Sequence, residues 1–290
     1  MTTPYTTLIS ATQLLALQAS GQPCIVFDCS FELMNPTVGD ALHEEAHIPG
    51  AVYMHLSRDL SEHTGSHDAA SGGRHPLPSR EAFAERLRQK GMSNATQAVV
   101  YDRQGAHYCG RLWWMLKWCG HEAVAVLDGG LPAWQAAGGA IATGAASTAR
   151  PRGTFTLQPA LAAAHGAQAL ARQLGSPSQT LIDARSAARY RGEMEPLDPV
   201  AGHIPGALNR PFTDNFLPDG RFKPAQQLRA EFDALLAGKA PDTVVHHCGS
   251  GVTAAPNLMA MEIAGLGRTG LFPGSWSEWC NTPGLPCARG

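Results

Sequence analysis

The sequence is poor in charged residues and has no excess charge of either sign. Charged residues make up 16% of the 290 positions, and the formal net charge is −2. Disorder would require more charge and fewer apolar residues, whereas hydrophobic residues here reach 44%. The near-neutral balance argues against a nucleic-acid or membrane-surface partner and leaves room for a local basic pocket that binds a small anion.

Long apolar runs and an export signal are also missing. No stretch of about 18 uncharged apolar residues occurs, so we expect no membrane span. The first ten residues lack the basic start and apolar core of a signal peptide. The seven cysteines are odd in number and scattered along the chain, which favours reduced thiols over a disulfide framework. We therefore expect a cytoplasmic protein.

What the sequence does contain is an internal repeat. "HIPGA" occurs at residues 47–51 and again at 203–207. "CIVFD" ending at Asp28 matches "TLID" ending at Asp183, and "AVVYD" ending at Asp102 matches "TVVHH" ending at His247. "GGLPAW" at 129–134 likewise matches "GSWSEW" at 274–279. Four ordered matches at nearly constant spacing indicate two copies of one domain.

Within each copy, short apolar runs alternate with helical patterns. Ser79 is a candidate N-cap for a helix that Gly91 closes, and residues 223–237 repeat the pattern with Gly238 as the stop. Such alternation predicts an α/β fold, with a mostly parallel sheet and helices on both faces in each domain. We predict domains at 1–140 and 155–290, joined by a linker at 141–154 that is rich in Ala, Gly and Thr.

The candidate chemistry lies in "VVHHCGSGVTAAP", which contains Cys248. Residues 243–246 read as a buried strand, and 253–264 read as a helix with Pro256 in its first turn. Gly249 and Gly251 would let the intervening loop curl so that successive N–H groups point at the sulfur. Such a nest at a helix N-terminus stabilises an anion, so it favours a thiolate and could also hold an added sulfur as a persulfide.

Other cysteine chemistries fit less well. A tyrosine-phosphatase loop requires an arginine where this chain has Ala254. A zinc site is weakly supported, because His246, His247 and Cys248 are adjacent and point alternately in a strand. No papain-like motif occurs. The remaining cysteines, which we interpret as structural, are Cys24, Cys29, Cys109, Cys119, Cys280 and Cys287.

The repeat predicts that only one copy is active. The position of the first copy that corresponds to Cys248 is Arg103, so that copy has no nucleophile in its loop. We expect it to serve as a scaffold for the active copy.

Taken together, the tandem copies, "HIPGA", "CGSGVTA" and "GSWSEW" resemble the two-domain rhodanese-type sulfurtransferases over essentially the whole chain. The resemblance implies two rhodanese-like α/β domains, an inactive N-terminal copy and a catalytic cysteine at Cys248. Within that family, the uncharged loop of Cys248, Gly249, Ser250, Gly251, Val252 and Thr253 is similar to the mercaptopyruvate branch rather than to the thiosulfate branch, whose loop tends to be basic.

The resemblance also implies substrate-binding arginines. Arg189, followed by an aromatic residue and a nearby glycine, best matches the arginine that holds the substrate carboxylate, and Arg191 is a second candidate. The second arginine of the mercaptopyruvate branch falls here at Asp198, a departure that puts strict preference for mercaptopyruvate in doubt unless Arg191 substitutes for it.

From the N-terminal copy, the resemblance implies a histidine before Leu-Pro, which is His75 in "GRHPLPS". Asp59 is the nearest candidate for its acidic partner, although the spacing is irregular. Arg74, beside His75, could add positive potential at the mouth of the site.

The predicted reaction is ping-pong sulfur transfer without a metal or organic cofactor. Cys248 takes sulfur from 3-mercaptopyruvate held by Arg189, while Ser250, His75 and Asp59 relay the proton. The acceptor is a thiol such as thioredoxin, or cyanide. The alternatives are the same enzyme with thiosulfate as donor, and a non-catalytic persulfide carrier or interaction module.

Overall fold

The computed structural model describes residues 3–145 and 150–290. The chain forms two compact units. The first comprises the described residues of Met1–Ser61, Pro78–Leu161 and Phe216–Phe222, and the second comprises Glu62–Leu77, Ala162–Asn215 and Lys223–Gly290. Residues 146–149, in the predicted linker, lie outside the described residues. The boundaries drawn from the sequence, at 140 and 155, stay a prediction.

The first unit contains one parallel five-stranded sheet with helices packed around it. Its elements, in chain order, are β1 (Leu8–Ile9), α1 (Ala11–Ala19), β2 (Cys24–Asp28), α2 (Val38–Glu45), β3 (Val52–Tyr53), α3 (Arg80–Gln89), β4 (Gln97–Tyr101), α4 (Cys109–Trp118), β5 (Val124–Leu127) and α5 (Gly130–Ala136). The strand order is β1-β5-β4-β2-β3, and every pair is parallel.

The second unit repeats this plan. Its elements are β6 (Ala163–Ala164), α6 (Ala167–Ala171), β7 (Thr180–Asp183), α7 (Ala187–Arg191), β8 (Leu208–Asn209), α8 (Ala225–Leu236), β9 (Val244–His247), α9 (Ala255–Ile263), β10 (Gly270–Leu271) and α10 (Ser275–Trp279). The strand order is β6-β10-β9-β7-β8, and every pair is again parallel. Counted from the first strand of each unit, this is the same order as in the first sheet. The predicted α/β fold with two parallel sheets is confirmed.

The repeated motif has the same structural role in both units. His47 forms an antiparallel bridge with Ala142, and His203 forms one with Ala288. In each case the ring Nδ1 lies within 2.9 Å of a helix carbonyl oxygen, that of His43 or Tyr190. The "HIPGA" histidines therefore tie a helix to a loop in each unit.

The predicted elements agree with the structure to within a few residues. Ser79 caps α3 by accepting the N–H of Ala82 at 3.1 Å, and Gly91 follows the helix with φ +86°. The central strands β2, β4, β7 and β9 are almost wholly buried, as expected for parallel strands covered by helices. Loops after the carboxyl ends of such strands are where α/β proteins place their sites, and the loop from β9 to α9 holds Cys248.

Within the described ranges, no helix is long and apolar enough to cross a membrane.

Candidate active site

Cys248 is the first residue after β9, and the start of α10 holds its backbone in place. Its N–H donates to the hydroxyl of Ser275 at 3.0 Å, and its carbonyl accepts the N–H of Trp276 at 3.0 Å. The next carbonyl, that of Gly249, accepts the N–H of Ser277 at 2.9 Å. The cysteine is only 1% exposed. Polar side chains, those of Ser250 and Arg189 among them, nonetheless lie in or beside the loop that follows it.

The loop that follows has the curl predicted from its glycines. Gly251 adopts φ +74°, and a Cβ there would collide with the carbonyl oxygen of Pro273. In the part of the chain that the structure describes, no group accepts a hydrogen bond from the N–H of Gly249, Ser250 or Val252. These donors, ahead of the N-terminus of α9, remain available to an anion in the loop.

Ser250 and His75 lie together within the second unit. The hydroxyl of Ser250 is 2.8 Å from Nδ1 of His75, although 175 residues separate them in sequence. The segment that carries His75 is anchored on α10, because the N–H of Arg74 donates to Ser277 Oγ at 3.1 Å and that of Gly72 donates to Glu278 at 3.2 Å. A serine hydroxyl at this distance from an imidazole is an arrangement that can pass a proton.

Arg189, on α7, reaches the same loop. Its Nη2 pairs with Glu195 at 2.5 Å and lies 3.6 Å from Asp198. A Cβ built on Gly249 would be 3.4 Å from Arg189 Nη1, so the guanidinium borders the residue that follows Cys248. Burial acts to raise the pKa of Glu195, but the hydrogen bonds from Arg189 and from the N–H groups of Leu197 and Asp198, with the charge of Arg189, together hold the pKa below its ordinary value. The pair is therefore charged.

Arg185 is built into the core behind the loop. Its guanidinium is fully buried, pairs with Asp183 at 2.7 Å and with Glu195 at 3.2 Å, and lies over the ring of Trp276. Burial acts to raise the pKa of Asp183, but the charges of His247 and Arg185 outweigh it and lower the pKa below its ordinary value. The ion pair at the end of β7 thus fixes the segment that presents Arg189.

Arg191 does not join this cluster. Arg191 is exposed and pairs with Glu193 at 2.7 Å. Asp59 belongs to the first unit, where its carboxylate accepts the N–H of His55 at 2.8 Å and lies 3.4 Å from Lys90 Nζ. Their predicted roles stay predictions.

The other six cysteines are in settings that favour the neutral thiol, and all seven are free. Burial is the main cause in every case and raises the pKa of Cys24, Cys119 and Cys280 to about 11. It raises that of Cys29 and Cys109 further and that of exposed Cys287 less. Cys287 lies at the surface, so the interpretation of it as structural has no support from packing.

The described residues contain no group of three or more histidine, cysteine and acidic side chains that could hold a metal ion. His246 and His247 are fully buried, and burial lowers the pKa of both, that of His246 to about 3. Near neutral pH His246 is an uncharged side chain of a core strand.

The corresponding loop of the first unit shows what this backbone binds. There Asp102 fills the loop with its own carboxylate, which accepts the N–H groups of Gln104, Ala106, Tyr108 and Cys109 at 2.8–3.0 Å. Ala106 has φ +72°, close to the +74° of Gly251 in the second copy. In the first unit, the strand–loop–helix turn is therefore a nest of N–H groups that binds a carboxylate.

Arg103 holds the position of the cysteine in that first loop. Its Nη2 donates to the carbonyl oxygens of Leu42 and Ala46, the latter at 2.5 Å. The residue therefore secures the C-terminal end of α2 and supplies no nucleophile.

Comparison with known proteins agrees with this architecture. The Rhodanese-like domain family matches residues 10–137 and 166–282. A probable 3-mercaptopyruvate sulfurtransferase of Pseudomonas aeruginosa is 46% identical over 98% of both chains. A putative thiosulfate sulfurtransferase, SseB, of Mycobacterium tuberculosis is 40% identical over 98% of this chain and 97% of its own. The crystal structure of SseA from Escherichia coli, a 3-mercaptopyruvate sulfotransferase, has a TM-score of 0.77 at 31% identity and covers 94% of this chain and 100% of its own.

The chain belongs to the rhodanese-like family, with one copy of the domain in each half. It is a sulfurtransferase, as the sequence predicted.

Sequence reasoning missed three contributors to the site. The sequence marks Arg74 only as a source of positive potential and Asp198 only as a lost arginine, and it gives no signal for Ser275. The opposite charges of Arg74 and Asp198 are the one signal for their pairing, and a sequence separation of 124 positions hides it.

Proposed function

We propose that the protein transfers sulfur from 3-mercaptopyruvate to a thiol or to cyanide through a persulfide on Cys248. The observation that carries the proposal is the loop after β9, where Cys248 is followed by unpaired N–H groups and bordered by the guanidinium of Arg189. The carboxylate that fills the matching loop of the first unit supports the view that this backbone stabilises an anion. The name of the Pseudomonas relative agrees with this donor.

In the first half-reaction, the Cys248 thiolate attacks the sulfur of mercaptopyruvate. The new S–S bond forms as the donor C–S bond breaks, and its electron pair leaves with pyruvate as the enolate. The proton of the donor thiol passes to the enolate carbon through Ser250 and His75, so that pyruvate departs and Cys248 carries an anionic persulfide. Arg189 holds the donor carboxylate, and the N–H groups of Gly249, Val252 and Thr253 are the proposed cradle for the charged sulfur, with Gly251 as the residue that turns the loop.

In the second half-reaction, an acceptor removes the outer sulfur. Cyanide attacks it and leaves as thiocyanate, which returns Cys248 as the thiolate. A thiol such as one of thioredoxin attacks in the same way and carries the sulfur off as its own persulfide. No step calls for a metal or organic cofactor. Asp59 as partner of His75, and Arg191 as a further substrate ligand, are further parts of this proposal.

Thiosulfate is the alternative donor, favoured by the name of the Mycobacterium relative and by the presence of a second guanidinium, Arg74, beside Gly249. A comparison of kcat/KM for the two donors separates the two proposals. A larger value for thiosulfate would contradict the proposed donor. A protein that accepts one sulfur per chain without turnover would instead be a persulfide carrier.

The test is Cys248→Ser. We expect transfer to fall on the order of 10⁴-fold or more, because the nucleophile is lost. Intact mass after treatment with mercaptopyruvate should show one added sulfur atom on the wild type and none on the variant. Cys287→Ser, which changes an exposed cysteine in the same unit, is the control and should keep both activity and adduct. Retained transfer in Cys248→Ser would refute the proposal.

We also propose a cytoplasmic location. The seven free cysteines support it, since reduced thiols persist in a reducing compartment.

A further inference from the structure

We propose that Arg74 is a second residue that binds the carboxylate of the sulfur donor, and that Asp198 positions it. The inference rests on the proposed function, because it concerns the substrate of the same site. It assigns the second guanidinium of the site to a segment far away in sequence, 62–77, rather than to the helix that carries Arg189.

The geometry places two guanidinium groups at one point of the loop. A Cβ built on Gly249 would lie 3.0 Å from Arg74 Nη2 and 3.4 Å from Arg189 Nη1. Gly249 has no side chain, so nothing at this position keeps the two guanidinium groups away from the loop. A planar carboxylate with two oxygens can accept from two guanidinium nitrogens that converge in this way.

The two converging nitrogens are also the ones without partners. Arg74 bonds Asp198 through Nη1, and Arg189 bonds Glu195 through Nε and Nη2. Over residues 3–145 and 150–290, neither Arg74 Nη2 nor Arg189 Nη1 donates a hydrogen bond. The acidic neighbours thus bind the other nitrogens of each guanidinium, and Arg74 Nη2 and Arg189 Nη1 are left to bind a ligand.

Asp198 is a buried carboxylate shared by both arginines. Its side chain is 2% exposed, Oδ1 pairs with Arg74, and Oδ2 lies 3.6 Å from Arg189. An ionised carboxylate at that burial requires cationic partners, so its two neighbours are fixed relative to each other. Asp198 stands where the family pattern has an arginine, and it pairs with an arginine of another segment, Arg74.

The charge of the cluster suits a substrate with one carboxylate. Arg74, Arg185 and Arg189 face Asp183, Glu195 and Asp198, so the cations and anions are equal in number before Cys248 or substrate is counted. A donor carboxylate gains two directed hydrogen bonds there without entering a strongly positive pocket. We therefore identify the ligand of Arg74 as the carboxylate of a 2-oxo acid donor.

The test compares Arg74→Met with wild type for mercaptopyruvate and for a donor without a carboxylate, benzyl hydropersulfide. We expect KM for mercaptopyruvate to rise about 10- to 100-fold, the effect of losing a hydrogen bond to a charged group. We expect kcat to change little, because the contact exists in the ground state as well as the transition state. The kinetics with benzyl hydropersulfide should not change. Arg229→Met, which changes an exposed arginine on α8 paired with Asp233, is the control.

Arg74→Met leaves Asp198 buried without its partner, so Arg74→Met/Asp198→Asn provides a neutral version of the pair. The double variant should show the same KM as Arg74→Met, and Asp198→Asn alone a smaller rise, since Asp198 acts only through Arg74 and Arg189. If the double variant has the wild-type KM for mercaptopyruvate, the inference is overturned. The same holds if Arg74→Met impairs the reaction with benzyl hydropersulfide as much as the reaction with mercaptopyruvate. If wild-type Cys248 gains no sulfur from mercaptopyruvate, the proposed function itself has failed.

Discussion

At position 251, in the loop that follows Cys248, the backbone has a conformation that is unfavourable for any residue with a side chain. The φ of +74° turns the chain between Ser250 and Val252, and the carbonyl of Pro273 packs where a Cβ would stand. Left-handed backbone costs an ordinary residue about 1–2 kcal/mol, before any collision is counted. The glycine is therefore required by both conformation and space.

We predict that Gly251→Ala lowers the free energy of unfolding by at least about 3 kcal/mol and abolishes sulfur loading of Cys248, because Pro273 must move or the loop must open. Gly265→Ala is the matched control, since Gly265 has φ +70° with nothing within 4 Å of its Cβ position. That change should cost only about 1 kcal/mol and keep activity. Denaturant unfolding and intact mass measure both effects. Equal losses of unfolding free energy in the two variants would show that the collision with the carbonyl of Pro273 does not contribute.

Residues of the site differ in how far the sequence could locate them. Cys248 and Gly251 follow from a local pattern, because a strand, a cysteine, two glycines and a helix are contiguous. Only the resemblance links Ser250 with His75, since two residues 175 positions apart share no local signal. The pairing of Arg74 with Asp198 was not predicted, because a tertiary ion pair between distant segments depends on how the chain folds.

At the scale of elements, the two units use one strand–loop–helix turn for two purposes. After β4, Asp102 occupies the nest with a carboxylate and accepts four backbone N–H groups. After β9, His247 stands at the matching place and the next residue is the cysteine. The same turn thus binds a carboxylate of its own chain in one copy and follows the cysteine in the other.

We predict that Arg103→Cys, introduced into the Cys248→Ser variant, gains no sulfur from mercaptopyruvate. The N–H groups of that loop already bind Asp102, so a sulfur at position 103 would lie beside a carboxylate without donors of its own. Peptide mapping by mass after treatment with mercaptopyruvate checks this, with the chain that retains Cys248 as positive control. A sulfur adduct on the peptide that contains position 103 would show that the nest alone does not select the active copy.

The central strands and the main helices can be predicted from the sequence, but the edge strands of the two sheets cannot. The central strands and the helices α3, α8 and α9 follow from apolar runs, caps and stop signals. The four edge strands, β1, β3, β6 and β8, have two residues each, too few for a periodic pattern. Their pairing arises from the neighbouring strand rather than from their own sequence.

At the scale of the whole molecule, burial of histidine sets the response to acid. Burial is the largest cause of a lowered pKa at six of the twelve histidines: His55, His107, His121, His165, His246 and His247. In the unfolded chain these side chains take up protons near pH 6.5, whereas the folded chain keeps them neutral to lower pH. The unfolded state therefore binds more protons, and stability falls as pH decreases below about 6.5.

His246 offers the sharpest test, because burial lowers its pKa to about 3. A histidine with that folded value contributes stability that is complete above pH 6.5 and is lost as pH falls towards its folded pKa; at pH 5 about 2 kcal/mol is already gone. We predict that His246→Leu, relative to wild type, gains about 2 kcal/mol between pH 8 and pH 5, measured by denaturant unfolding at both values. His67→Leu changes a histidine that is 92% exposed and should show no such gain. If the two variants respond alike to pH, the buried histidines do not govern the acid sensitivity of the fold.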